Sequence, residues 1–238
     1  MSFPPIDFLL IDTKGVLCAE WKEAFSVLPD DVNAHFTFLQ SSLDDLPSRH
    51  SGFDCAVSPA NSYGIMDGGF DYYLSRAFKP VNGEFEALTR HVQKAIYERY
   101  TGYLPPASCI VVDLRKSELK DNKFGANSIA VLPTMRYPED VTWDKDLVYN
   151  CMWNLLVQLS KNCPGEPGFK QGAPPIKKVL MTGLATGVGG ISAKKCAAQM
   201  ALAVKHFAEA RQLPAKHIKS DWSDVSKRHL ELEKTRSM

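Results

Sequence analysis

Asp54-Cys-Ala-Val-Ser-Pro-Ala-Asn61-Ser-Tyr-Gly64-Ile-Met-Asp-Gly68-Gly69-Phe-Asp71 is the stretch on which the fold turns. Its first part, Phe53–Val57, is a short apolar run bounded by turn residues and reads as a buried strand. Small residues lead from it to Asn61, and a Gly-containing loop over Ser58–Phe70 closes on Gly-Gly-Phe-Asp. Asp71–Phe78 then reads as a helix. Two polar residues in this stretch admit two readings each. Asn61 is either an Asx-turn residue or a ligand-facing carboxamide. Asp71 is either a helix cap or a functional carboxylate.

A second strand–loop–helix unit lies about 120 residues further on, at Val179-Leu-Met-Thr-Gly-Leu-Ala-Thr-Gly-Val-Gly-Gly190. A strand that opens through four glycines into a helix N-terminus suits a phosphate or diphosphate. Backbone N–H groups supply donors, the helix dipole adds partial positive charge, and glycines allow close approach. It is not a P-loop, because G-x-x-x-x-G-K-[ST] occurs nowhere in the chain. Thr182–Gly189 does match the T-G-x-x-x-G-x-G pattern of short-chain dehydrogenases. That loop opens a Rossmann fold, however, and only 48 residues follow Gly190 here. No tyrosine has a lysine four residues on, so the matching catalytic pair is missing too. At the other end, Leu9–Leu17 resembles the first motif of haloacid-dehalogenase-type phosphatases, but Lys14 stands where the second, proton-donating Asp belongs.

Around these loops, strands alternate with helices. Ile6–Asp12, Ser108–Val112, Ser128–Leu132 and Lys177–Thr182 read as further buried strands. Glu84–Tyr100, Asp144–Leu159 and Ser192–Ala210 carry apolar stripes at helical spacing. The pattern predicts an α/β layered fold with a mostly parallel sheet. Residues 1–215 read as one domain with insertions, and 216–238 as a charged tail that forms at most a short helix. Trp21–Leu46, Arg115–Asn127, Asn162–Pro175 and the tail are the stretches expected to lie outside the core.

Composition narrows the partners. Twenty-eight basic against 27 acidic residues leave a net charge of +1, which disfavours a broad polyanion-binding face but not a small anion pocket. No nucleic-acid partner is expected, and no membrane partner, since no apolar run approaches the roughly 18 residues a span requires. The N-terminus lacks a signal peptide's basic region, and the six cysteines form no Cys-x-x-Cys pair. An intracellular protein with reduced thiols is the expectation. The six histidines show no metal spacing, and no cofactor or metal site is expected. Oligomeric state is left open.

Taken in order, the two glycine loops resemble the paired ligand loops of macro domains. The strand that ends in small residues and Asn61, the Gly68-Gly69-Phe70-Asp71 run, and Thr186-Gly187-Val188-Gly189-Gly190 carry the resemblance. The branch it is most similar to is that of the ADP-ribose 1″-phosphate phosphatases. The resemblance implies a three-layer α/β/α sandwich on a mixed, mostly parallel sheet, with a pocket for ADP-ribose or a derivative at the C-terminal ends of the strands. Asn61 would bond the distal ribose, and Asp71 would lie beside its anomeric carbon. Gly68, Gly69 and Phe70 would border ribose and diphosphate, while Ala185 through Gly190 would cradle phosphate. Asp12 would recognise adenine. Several positions depart from the family pattern. Met66 and Asp67 stand where glycines are usual, Ser75 where His is often found, and Val188 where an aromatic often sits.

Three functions follow from such a pocket. One is hydrolysis of ADP-ribose 1″-phosphate, a by-product of tRNA splicing, with Asn61 and Asp71 as the catalytic pair. A second is a reader that binds ADP-ribose without turnover. A third is removal of ADP-ribose from modified proteins.

Overall fold

The computed structural model describes residues 2–59 and 61–238. Strand β1 (Asp7–Asp12) buries Phe8, Leu9, Leu10 and Ile11 in succession, so both of its faces are covered. Phe8 and Leu10 enter one core, with α1 (Val16–Phe25), α5 (Leu147–Lys161) and α6 (Ala193–Gln212). Leu9 and Ile11 enter a second, with α3 (Gly69–Phe78) and α4 (Ala87–Tyr100). Helices on both faces of one sheet make the three-layer α/β/α sandwich.

The other strands are β2 (Phe36–Gln40), β3 (Cys55–Ser58), β4 (Ile110–Asp113), β5 (Ser128–Val131) and β6 (Lys178–Met181). Among the described residues they form one sheet in the order β2-β1-β6-β3-β5-β4. Every pairing is parallel except β4 with β5, where Ile110 faces Val131 and Asp113 faces Ser128. Mixed and mostly parallel is therefore the observed sheet. The parallel strands point their C-terminal ends to one edge, and both glycine loops leave from that edge, after β3 and β6. Ligands bind at this end of open α/β sheets.

The helical stripes read from sequence are buried as spaced. Cys196, Met200, Ala203, Val204 and Phe207 line the inner side of α6, and Ser192 caps that helix through Oγ, which accepts the Lys195 N–H at 3.1 Å. Arg115–Asn127, expected outside the core, places Leu119, Phe124 and Ala126 in the second core; Trp21–Leu46 differs from its expectation as well. It holds the second half of α1, the one-turn α2 (Asp30–Asn33) and the edge strand β2. Trp21 is fully buried, a contribution of about 2–3 kcal/mol. The strand is hard to see in sequence because, at the sheet edge, only Phe36 of its five residues is fully buried.

The C-terminal segment forms α7 (Pro214–Ile218) and α8 (Trp222–Glu233). Trp222 and Val225, spaced as if to pack, stay exposed. Polar contacts hold this segment instead. Glu231 accepts from Lys205 Nζ at 2.6 Å and lies 3.2 Å from His206 Nε2, while Arg236 grips both oxygens of Asp146 at 2.8 and 2.7 Å. All six cysteines are free and buried. No helix of the described residues is long and apolar enough to cross a membrane.

Candidate functional site

A cleft of about 280 Å³ opens at the C-terminal ends of β3 and β6. The first glycine loop forms one wall through Asn61, Gly68, Gly69, Phe70 and Asp71. Opposite it stand Ala185, Thr186, Gly187, Val188 and Gly189. Ten of the twelve residues singled out from sequence thus meet at one place. Gly190 lies just outside, where its left-handed backbone turns the chain toward α6. Asp12 lies in an adjoining cleft of about 460 Å³, beyond β1 and β2. Phe70 and Thr182 line both clefts, so the two adjoin.

The two walls share one electrostatic property. Among the described residues, the main-chain N–H groups of Thr186, Gly187, Val188 and Gly189 have no protein acceptor. The first N–H groups of α3, at Gly69, Phe70 and Asp71, have none either. Helix starts and irregular glycine turns leave such donors free for an anion. Nothing stands within 4 Å of where a Cβ would sit at Gly68, Gly69 or Gly187, so the approach to these amides is open.

Asn61 is placed by its backbone, which bridges to Met135 beyond β5, with the Ser62 N–H donating to the Met135 carbonyl at 3.1 Å. Its side chain braces its own loop. Oδ1 accepts from the N–H groups of Tyr63 and Ile65 at 3.0 and 3.3 Å, and Nδ2 donates to the Ile65 carbonyl at 2.7 Å. This is an Asx-type turn that leaves one Nδ2 hydrogen without an acceptor among the described residues. Met66 is fully buried as a plug. Thr89 Oγ1 accepts its N–H at 3.1 Å and Ser75 Oγ donates to its carbonyl at 2.6 Å. Ser75 therefore anchors the loop, which accounts for a small hydroxyl at that position.

Asp71 is 6% exposed and accepts a hydrogen bond from Ser58 Oγ at 2.7 Å. Burial pushes its pKa up to about 7; the Ser58 bond opposes the shift, and the nearby Asp67 carboxylate reinforces it. A carboxyl that titrates near neutrality inside a cleft can take or give a proton at physiological pH. Asp67 lines the same cleft but is exposed.

Asp12 is tied to the start of α1, accepting from Lys14 N–H at 3.3 Å and Leu17 N–H at 3.0 Å. Ser41, Ser42 and Leu43, which follow the unread strand β2, share its cleft, as do Phe70 and Tyr73. The sequence signal for the serines was the period-two Phe36/Phe38 pair of that strand. Thr134 and Met135, after β5, also line the central cleft without having been marked by any motif. No group of three or more His, Cys, Asp or Glu among the described residues is arranged to hold a metal ion.

No family model matches the chain. Among solved structures it is similar to macrodomains of Oceanobacillus iheyensis. A mutant of that macrodomain with ADPR is 14% identical, with 79% of this chain and 90% of that one covered at a TM-score of 0.48. The same macrodomain with ADP is 18% identical over 67% of this chain and 73% of that one, at 0.46. At these values the likeness bears on neither substrate nor activity, which rest on the cleft itself; in overall form, this chain resembles a divergent macrodomain.

Proposed function

We propose that the cleft binds ADP-ribose or a derivative and hydrolyses the substituent at its distal-ribose 1″ position, converting ADP-ribose 1″-phosphate to ADP-ribose and phosphate. The observation that carries the binding is the pair of walls with unpartnered N–H groups around one cleft, which adjoins the Asp12 basin. The two volumes lie in or near the usual range for small-molecule sites, about 300–1,000 Å³. A diphosphate between the walls puts one nucleoside end toward Asp12, Phe70 and Ser42. The other end, the distal ribose, then lies toward Asn61 and Asp71.

Asp71 supplies the chemistry. Ionised, it takes a proton from water as the water oxygen bonds to phosphorus, and the proton passes on to the departing ribosyl oxygen. The remaining Asn61 amide hydrogen orients the ribose hydroxyl, and the free loop amides offset charge on the phosphate groups. Isothermal calorimetry with ADP-ribose tests the binding, and absence of heat at millimolar ligand overturns it. Phosphate release from ADP-ribose 1″-phosphate tests the hydrolysis. Asp71→Asn is expected to cut turnover about 10²–10⁴-fold with affinity for ADP-ribose little changed. Full activity in that variant removes Asp71 from the mechanism.

Removal of ADP-ribose from a modified protein is a second reading, favoured by one observation. Thr134 and Met135, which line the cleft, also line a further cavity beside it.

A further inference from the structure

That further cavity, about 330 Å³, lies beyond the C-terminal end of β5. Three cavities therefore follow one another along the same edge of the sheet. The first is at β2 and β1, the second at β6 and β3, and the third at β5. Thr134 and Met135 line both the second and the third, so these two adjoin.

The walls of the third cavity differ from the rest of the edge. Tyr103 and Arg136 form one side, with the guanidinium carbon 5.6 Å from the ring centroid. Tyr63, two residues after Asn61, extends this side, its ring 5.7 Å from that of Tyr103. Trp143 stands across from them, 70% exposed. An indole this exposed contributes little to the core, whereas exposed aromatics beside a cavity are common binding anchors. Two carboxylates complete the lining, Glu139 and Asp144, against the single guanidinium of Arg136. Neither carboxylate is within salt-bridge distance of a cation among the described residues; Asp144 Oδ1 accepts the Asp146 N–H at 3.3 Å and interacts electrostatically with Lys195, as Glu139 does with Arg136. The nearby Lys145 Nζ donates to the Thr142 carbonyl at 2.9 Å, and Asp146 is neutralised by Arg236.

A lining with two carboxylates, one guanidinium and exposed aromatic rings attracts a cation. We propose that the third cavity is a subsite for a polypeptide that carries the ADP-ribose, and that it selects a basic side chain next to the modified residue. The indole of Trp143 packs on the alkyl stem of that side chain, and Glu139 and Asp144 face its charge. This assignment rests on the reading of the central cleft as an ADP-ribose site.

The test compares free ADP-ribose with mono-ADP-ribosylated peptides whose neighbouring residue is Lys or Glu, by calorimetry on the intact chain. The Lys peptide is expected to bind about tenfold more tightly than free ADP-ribose, and the Glu peptide no more tightly. Trp143→Ala and Glu139→Lys, both at exposed positions, are expected to abolish the Lys-peptide gain and leave the affinity for free ADP-ribose unchanged. If ADP-ribose binds but the Lys peptide shows no gain, or both variants keep it, the subsite is overturned while the cleft reading stands. An ADP-ribosylated oligonucleotide that gains as much as the Lys peptide overturns the polypeptide assignment. If ADP-ribose itself fails to bind, the cleft reading falls and the subsite with it.

Discussion

The two walls of the cleft do the same work by opposite means. The first, from Asn61 to Asp71, is held by side chains: the Asn61 carboxamide, the buried Met66 plug, and the Thr89 and Ser75 hydroxyls that fix the backbone of Met66. The second, from Gly183 to Gly190, is held by its own main chain. The Ile191 N–H donates to the Ala185 carbonyl at 3.1 Å, and the Gly189 carbonyl accepts from Val141 N–H at 3.0 Å. The first wall thus depends on which functional groups are present. The second depends on which are missing, since a Cβ on Gly189 would stand 2.7 Å from the Ala185 oxygen.

This contrast is most exposed to failure at Gly189. Gly189→Ala forces the second wall to move, and a loss of ADP-ribose affinity of roughly 30- to 100-fold is expected, about 2–3 kcal/mol. Calorimetry on the variant reads it, with a circular dichroism spectrum to show that the sheet persists. Unchanged affinity means that the second wall does not need its tight turn.

Asn61→Ala probes the first wall. Three hydrogen bonds are lost, so a fall in stability of about 1–3 kcal/mol and roughly tenfold weaker binding are expected in urea titrations and calorimetry. A variant that loses stability but keeps full binding and turnover reduces Asn61 to a turn residue.

The smallest effect concerns charge within the first wall. Asp67 raises the pKa of Asp71, so Asp67→Asn is expected to move the acidic limb of the pH–rate profile a fraction of a unit lower. The same group sets a stability trend. Asp71 has an ordinary value of 3.8 and a folded value of about 7, so the folded state holds the extra proton between them. Its contribution to stability is full below about 3.8 and is lost as pH rises through about 7. Asp71→Asn, which cannot ionise, should therefore gain stability relative to the parent chain as pH rises from 5 to 8. Parallel thermal melts across that range check the sign, and two parallel lines would refute it.

How much of this was legible in the residues varies with the kind of constraint. β1, β3 and β6 are buried on both faces, so their apolar runs are continuous and easily read. β2 is an edge strand with a half-polar surface, and it hid in a stretch that looked like surplus. In the site, glycine spacing marked both walls because close approach and helix starts restrict residue type. Thr134, Met135, Ser41 and Ser42 carried no such mark; they line the clefts only because strands distant in sequence end at one edge.

Local chemistry was enough to read the α/β layering, the two glycine-rich loops and the near balance of charge. Burial patterns, glycine conformations and charge totals are properties of short segments and need no partner. The titration of Asp71, the bracing role of Asn61 and the chain of three cavities had to wait for the assembled sheet. Each depends on atoms brought together by strand order: Ser58 and Asp67 around Asp71, Met135 against Asn61, and the β5 end set beside the β3 loop.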